Sequence, residues 1–122
     1  MGTEAGRRVA DELRDLIELN AAGDHDETAL EAAADLLSEA RGLLDGPRRS
    51  RWYELVDPAD PDEVARSYAR QSPFRGTENA LAPPLALEKV DGDGGLAVIG
   101  RVRLSSAYEG PPRGVHGGML AG

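Results

Sequence analysis

Gly114-Val115-His116-Gly117-Gly118 is the segment whose residue types and spacing point most directly to chemistry. It follows a stretch with strand character and stands where a helix would begin. The first N–H groups of a helix have no intrahelical acceptors, and the helix dipole makes that end partly positive. Consecutive glycines, Gly117 and Gly118, let a ligand approach the bare backbone closely. Such a site can hold an anion, or the oxyanion that develops when a carbonyl is attacked. A lone His116 would read as a loop histidine with satisfied hydrogen bonds. The glycines beside it favour a functional reading.

Other candidates have plainer readings. His25, between Asp24 and Asp26, has no further metal ligand at hand and reads as part of a solvated capping loop. Arg48, Arg49 and Arg51 beside Trp52 have the fork geometry that suits phosphates, yet a solvated linker explains them better. Ser105 and Ser106 lack the Gly-x-Ser-x-Gly elbow of a serine hydrolase. With no cysteine, the chain has no disulfide, no thiolate metal site and no thiol nucleophile. Asp11, Glu12, Asp15 and Glu18 fall on the polar face of a helix and need no role beyond solubility.

The elements that must position these residues follow from periodicity. Val9, Leu13, Leu16 and Ile17 recur with the spacing of one helical stripe, and Asn20 to Asp26 breaks it. A second helix is announced by Asp24 three residues before Glu27 and Thr28 three before Glu31, both capping-box spacings. Its apolar face is Leu30, Ala33, Ala34, Leu37 and Leu44, and Gly46-Pro47 stops it. The two helices are expected to form a hairpin over 8–45, packed through Leu13, Leu16, Ile17, Leu30, Leu37 and Leu44. A third helix is expected from Pro61 to about Gln71, with Asp60 as N-cap and Val64, Ala65, Tyr68 and Ala69 buried. Beyond Ser72 the pattern changes to strands. Asp91-Gly92-Asp93-Gly94-Gly95 is a turn signal inside an expected β-hairpin over 84–105 with one buried and one wetter face. The class is α+β.

Composition narrows the functions. Of 122 residues, 40% are hydrophobic but only 4% aromatic, so any core rests on Leu, Val and Ala. The net charge of −8 lies entirely in residues 1–60, which hold 15 acids and 7 bases against 7 of each in 61–122 (15 − 7 = 8; 7 − 7 = 0). No basic face exists to displace counterions from nucleic acid. No apolar run approaches the roughly 18–20 residues of a membrane helix. The expectation is a cytoplasmic protein with no nucleic-acid or membrane partner.

Taken together, Asn79-Ala80-Leu81-Ala82-Pro83-Pro84, Gly110-Pro111-Pro112 and Val115-His116-Gly117-Gly118 resemble the PaaI-like hotdog thioesterases, over about residues 73–122. The similarity is strongest to longer bacterial members with a helical N-terminal extension, which here would be residues 1–72. It implies a curved antiparallel sheet around a central helix that begins at His-Gly-Gly. It also implies hydrolysis of an acyl-CoA thioester, with no metal or cofactor. The Gly117 N–H would polarise the thioester carbonyl, and Gly118 would allow close approach. His116 would fix the loop or contact the thioester, and Asn79 would either stand near the thioester or serve as a turn residue. Protomers would pair through their sheets as a homodimer or dimer of dimers. The family's acid lies two or more turns beyond the motif, whereas the sequence runs four residues past Gly118. The expectation is therefore an incomplete hotdog, half an active site and no appreciable turnover from these residues alone. The rival reading is a non-catalytic helical interaction module.

Overall fold

The computed structural model describes residues 3–47, 57, 59–83, 85–110 and 112–115. Within them lie helices α1 (Glu4–Ala22), α2 (Glu27–Leu44) and α3 (Pro61–Gln71), strands β1 (Ala86–Gly92) and β2 (Gly95–Arg101), and a 3₁₀ turn, Ser106–Tyr108. The α+β class stands. The order of helices before strands is the one the periodicities predict.

Each helix starts on a side chain that accepts an orphan N–H. Thr3 Oγ1 accepts from Gly6 at 2.8 Å, and Asp26 Oδ1 accepts from Ala29 at 2.7 Å. Asp60 Oδ1 accepts from both Asp62 and Glu63 at 3.1 Å, with Pro61 in the first turn as expected. For α2 the cap is Asp26, not Asp24 or Thr28. Only Asp26 stands immediately before the first helical residue, where a carboxylate reaches the N–H three residues on. At the end of α1, His25 Nε2 lies 2.8 Å from the Leu19 carbonyl, and the Gly23 N–H donates to the same oxygen at 2.9 Å.

The expected α1–α2 hairpin does not form a packed pair. No residue of α2 is buried, and α1 packs instead on the 3₁₀ turn. Leu13, Leu16 and Ile17 are each nearly 40% exposed, and Leu30 and Leu37 are 44% exposed. The stripe of α1 that is covered is Gly6, Ala10, Arg14 and Glu18, spaced every four residues and rotated away from the leucine stripe. On α3 the expected face is also displaced: Ala65, Tyr68 and Ala69 are exposed, and Ser67 is the buried residue.

These displaced faces share one physical cause. The loop 72–83 wraps the end of α3 and presents backbone carbonyls to α1. Its own N–H groups satisfy helix carbonyls: Ser72 donates to Tyr68 at 2.8 Å and Glu78 to Arg70 at 3.0 Å. Gly76, Ala82 and Pro83 are buried in this wrap, and Gly76 has no room for a side chain. A Cβ there would lie 2.4 Å from the Ser72 carbonyl oxygen and 2.6 Å from that of Arg70. Into the same wrap reaches Arg14, whose Nε donates to Ala82 O at 2.9 Å. Its Nη2 donates to Gly76 O at 2.8 Å and Asn79 O at 2.9 Å. Asp11 fixes the guanidinium from one turn back, at 2.6 Å.

The hairpin pairs antiparallel from Ala86↔Arg101 to Gly92↔Gly95, turning at Asp93-Gly94, and Gly95 takes the positive φ of 115°. Its expected buried face is not buried. Leu96 is 68% and Val98 59% exposed, and only Val90 within the strands is partly covered. The alternation is present in sequence, but neither α1 nor α3 lies over the sheet among the described residues. No helix there is long and apolar enough to cross a membrane.

Arg14 makes a stability prediction. Arg14→Met keeps the stem but removes three charge-assisted bonds; Gly76 O and Asn79 O keep a backbone donor, and Ala82 O loses the arginine's, so the change should cost roughly 1–3 kcal/mol. Arg14→Lys should recover only part, because an ammonium cannot reproduce the planar fork. Urea unfolding followed by circular dichroism measures both, and equal stability of Arg14→Met and the parent would refute the clamp.

Candidate functional site

Between α1 and the loop segments 80–83 and 103–108 lies a cleft of about 630 Å³. Ile17, Pro83 and Leu104 give it apolar walls, and Asp15, Glu18 and Arg103 line it with charge. Two polar ties involve residues of its lining. Tyr108 Oη donates to the Leu81 carbonyl at 3.1 Å. Glu18 accepts from the Ser106 N–H at 2.5 Å and from Ser106 Oγ at 2.8 Å. Glu18 thus caps the 3₁₀ turn from another element, as an N-cap side chain caps its own helix.

Hydrogen bonding by Ser106, first through its hydroxyl and then through its N–H, lowers the Glu18 pKa, and Arg103 adds a smaller electrostatic contribution. Both donors favour the charged carboxylate. Glu18 therefore has a structural role beyond the solubility read from its sequence. The Ser106 hydroxyl donates to this carboxylate, so it is committed to the tie that holds the 3₁₀ turn.

Asn79 is fully committed to the loop. Its Nδ2 donates to Gln71 O at 2.9 Å, and its Oδ1 accepts from the Leu81 N–H at 3.0 Å. Its backbone N–H donates to Gly76 O at 3.3 Å, while its carbonyl accepts from Ala82 and from Arg14. The side chain joins the C-terminus of α3 to an Asx turn, the local geometry asparagine favours. The resemblance singled out this residue, with a turn role as its alternative; what the sequence reading missed was Arg14, which reads as one more polar residue of α1. The arginine's signal is its place four residues after Ala10 and four before Glu18, a polar stripe that hydrophobic periodicity passes over.

After the 3₁₀ turn the chain doubles back. Glu109 bridges Val115 in antiparallel fashion, and the Gly110 N–H donates to Gly114 O at 3.1 Å. Arg113 sits at φ 66°, a left-handed conformation that costs a non-glycine residue on the order of 1 kcal/mol. This closed turn is the last described feature. His116, Gly117 and Gly118 lie outside the described residues, as do Arg48, Arg49, Arg51 and Trp52. The sequence-predicted set is therefore represented here by Asn79 alone. Among the described residues no group of His, Asp or Glu could hold a metal ion, and no buried side-chain polar atom lacks a partner. No protein-family model, curated protein or solved structure matches the chain.

Two predictions follow from the ties. Because the Glu18 pKa is depressed in the folded state, its contribution is present above the unfolded value and lost as pH falls through the folded one. The Ser106 amide resonance should therefore titrate with a midpoint below the ordinary glutamate range, and Ser106→Ala should raise that midpoint part-way. A parent midpoint at or above the ordinary range would contradict the assignment. Asn79→Ala should cost about 1–2 kcal/mol by removing the side-chain bonds to the Gln71 carbonyl and the Leu81 N–H. Differential scanning calorimetry tests this, and an unchanged Tm would show that the Asx turn forms without the side chain.

Proposed function

We propose that this chain belongs to an acyl-CoA thioesterase of hotdog type and supplies the residues that bind and polarise the thioester. The carrying observation is the closed turn Glu109–Val115, which hands the chain directly to His116-Gly117-Gly118. That turn is tied by both a backbone bridge and the Gly110–Gly114 hydrogen bond, immediately before the motif in sequence. If a helix begins there, its first free N–H groups lie beside two residues without side chains. Water then adds to the thioester carbonyl, and the Gly117 N–H holds the resulting oxyanion. The carbon–sulfur bond breaks, and CoA leaves as the thiol. Gly118 gives the acyl group room, and His116 orients the loop or meets the thioester. Asn79 contributes through the shape of the loop 76–82, since its amide is already bonded on both sides. The activating acid comes from outside the described residues, and protomers pair as a homodimer or dimer of dimers.

The second reading, a non-catalytic helical module, draws on the exposure of α2 along its whole length. Acetyl-, hexanoyl- and phenylacetyl-CoA hydrolysis by the full-length gene product separates the two. In the active protein, Gly117→Pro deletes the donor and should lower kcat by roughly 10²–10³. Gly117→Ala keeps the N–H and serves as the control for loop distortion. His116→Ala divides positioning from chemistry: a loss in KM alone means substrate positioning, and an equal loss in kcat and kcat/KM places the histidine in the transition state. Full kcat in a folded Gly117→Pro protein would refute the oxyanion site, and absence of any CoA-ester hydrolysis would favour the helical module.

A further inference from the structure

α2 carries an apolar seam that the described residues leave open. Leu30, Leu37 and Leu44 recur every seven residues, with Ala33 and Ala40 between them, the a and d positions of a heptad. All five are exposed, and no residue of the helix is buried. Leu36 and Leu43 border the seam at 68% and 83% exposure. In proteins most helical stability comes from packing an amphipathic face, and no residue of this 18-residue helix is buried.

We propose that this seam pairs antiparallel with the same seam of a second copy, about a two-fold axis near Asp35 and Leu36. In that register Leu30 meets the partner's Ala40, and Leu37 meets the partner's Ala33. Each of the four layers so formed joins one large and one small side chain, so the helices can approach closely there; Leu44 lies beyond them, level with the partner's Asp26. The same register sets Glu27 beside the partner's Arg41, and symmetry repeats the pair at the other end. Glu27 and Arg41 are both exposed, and neither has an ion pair among the described residues. A parallel pair would stack Leu on Leu and Ala on Ala. It would also leave Glu27 and Arg41 about 21 Å apart along the axis, at 1.5 Å per residue. The self-complementary charge pattern therefore selects both the partner and its direction, and it does so whether or not the chain hydrolyses thioesters.

The absence of cysteine makes the test direct. Nitroxide labels are attached to Thr28→Cys, Asp35→Cys or Gly42→Cys, one per chain. All three lie on the outer face of the pair, and Gly42 has open space for a side chain. Electron-spin distance measurements should give the shortest intermolecular separation at 35. The separations at 28 and 42 should be longer and alike, because each is offset by about 21 Å along the axis. Leu37→Glu should abolish the distance at 35. Arg41→Glu should weaken association several-fold, and Glu27→Arg with Arg41→Glu should restore it, which separates loss of pairing from loss of helix. Equal distances at all three positions would overturn the antiparallel seam. So would the absence of any intermolecular distance at millimolar protein, or a distance at 35 that survives Leu37→Glu.

Discussion

A single guanidinium holds together elements that have almost no apolar core between them. Arg14 gives three hydrogen bonds to the carbonyls of Gly76, Asn79 and Ala82, and its side chain retains only 15% exposure. Those carbonyls belong to a loop that has turned its N–H groups toward the end of α3. Gly76 O and Asn79 O each also accept one backbone N–H of the loop, so acceptor capacity remains on all three carbonyls, and Arg14 of α1 fills it. Arginine suits this task because its donors are planar, fixed and always charged. Bonds to a charged donor are also stronger than neutral ones. Around the clamp, the fully covered residues are small: Ala10, Ser67, Ser72 and Ala82, with Gly76 and Pro83. No large side chain is fully buried among the described residues. Polar ties do here what leucine and phenylalanine do in an ordinary core.

The cleft inherits its shape from the same arrangement. Arg14 sets the position of the loop 80–83, and one helical turn further along, Glu18 fixes the 3₁₀ turn. Both walls are thus referred to the α1 helix, the most regular element available. Downstream, the closed turn Glu109–Val115 continues from the 3₁₀ turn, so its placement also traces back to Glu18. A substrate-binding role for the residues that follow would rest on this chain of polar contacts.

Much of the secondary structure was legible because caps and turns are local. Asp60-Pro61 and the Asp91–Gly95 turn announce α3 and the hairpin from a few adjacent residues. Tertiary faces were not legible, for a specific reason. Hydrophobic periodicity assigns burial to Leu13, Leu16 and Ile17, whereas the covered stripe of α1 carries Gly6, Ala10, Arg14 and Glu18. A buried arginine declares itself only when its acceptors are known, and these lie more than sixty residues away. The leucines of α1 and α2 and the apolar residues of the hairpin are patterned for burial, yet they remain uncovered. For α2, the seven-residue spacing and the Glu27–Arg41 charges point to a second copy as the missing cover. Asn79, singled out by resemblance, has its side-chain bonds within the loop's architecture, the turn role that its sequence position also allowed.

Amide hydrogen exchange across the clamp tests the central claim most directly. Glu78 and Ala82 donate to Arg70 and Asn79 within the wrapped loop, while the β1–β2 amides belong to a hairpin that the clamp does not touch. In Arg14→Met, protection at Glu78 and Ala82 should fall markedly and that of the hairpin should stay as in the parent. Unchanged protection at Glu78 and Ala82 would contradict the account, because the loop would then hold its form without the arginine.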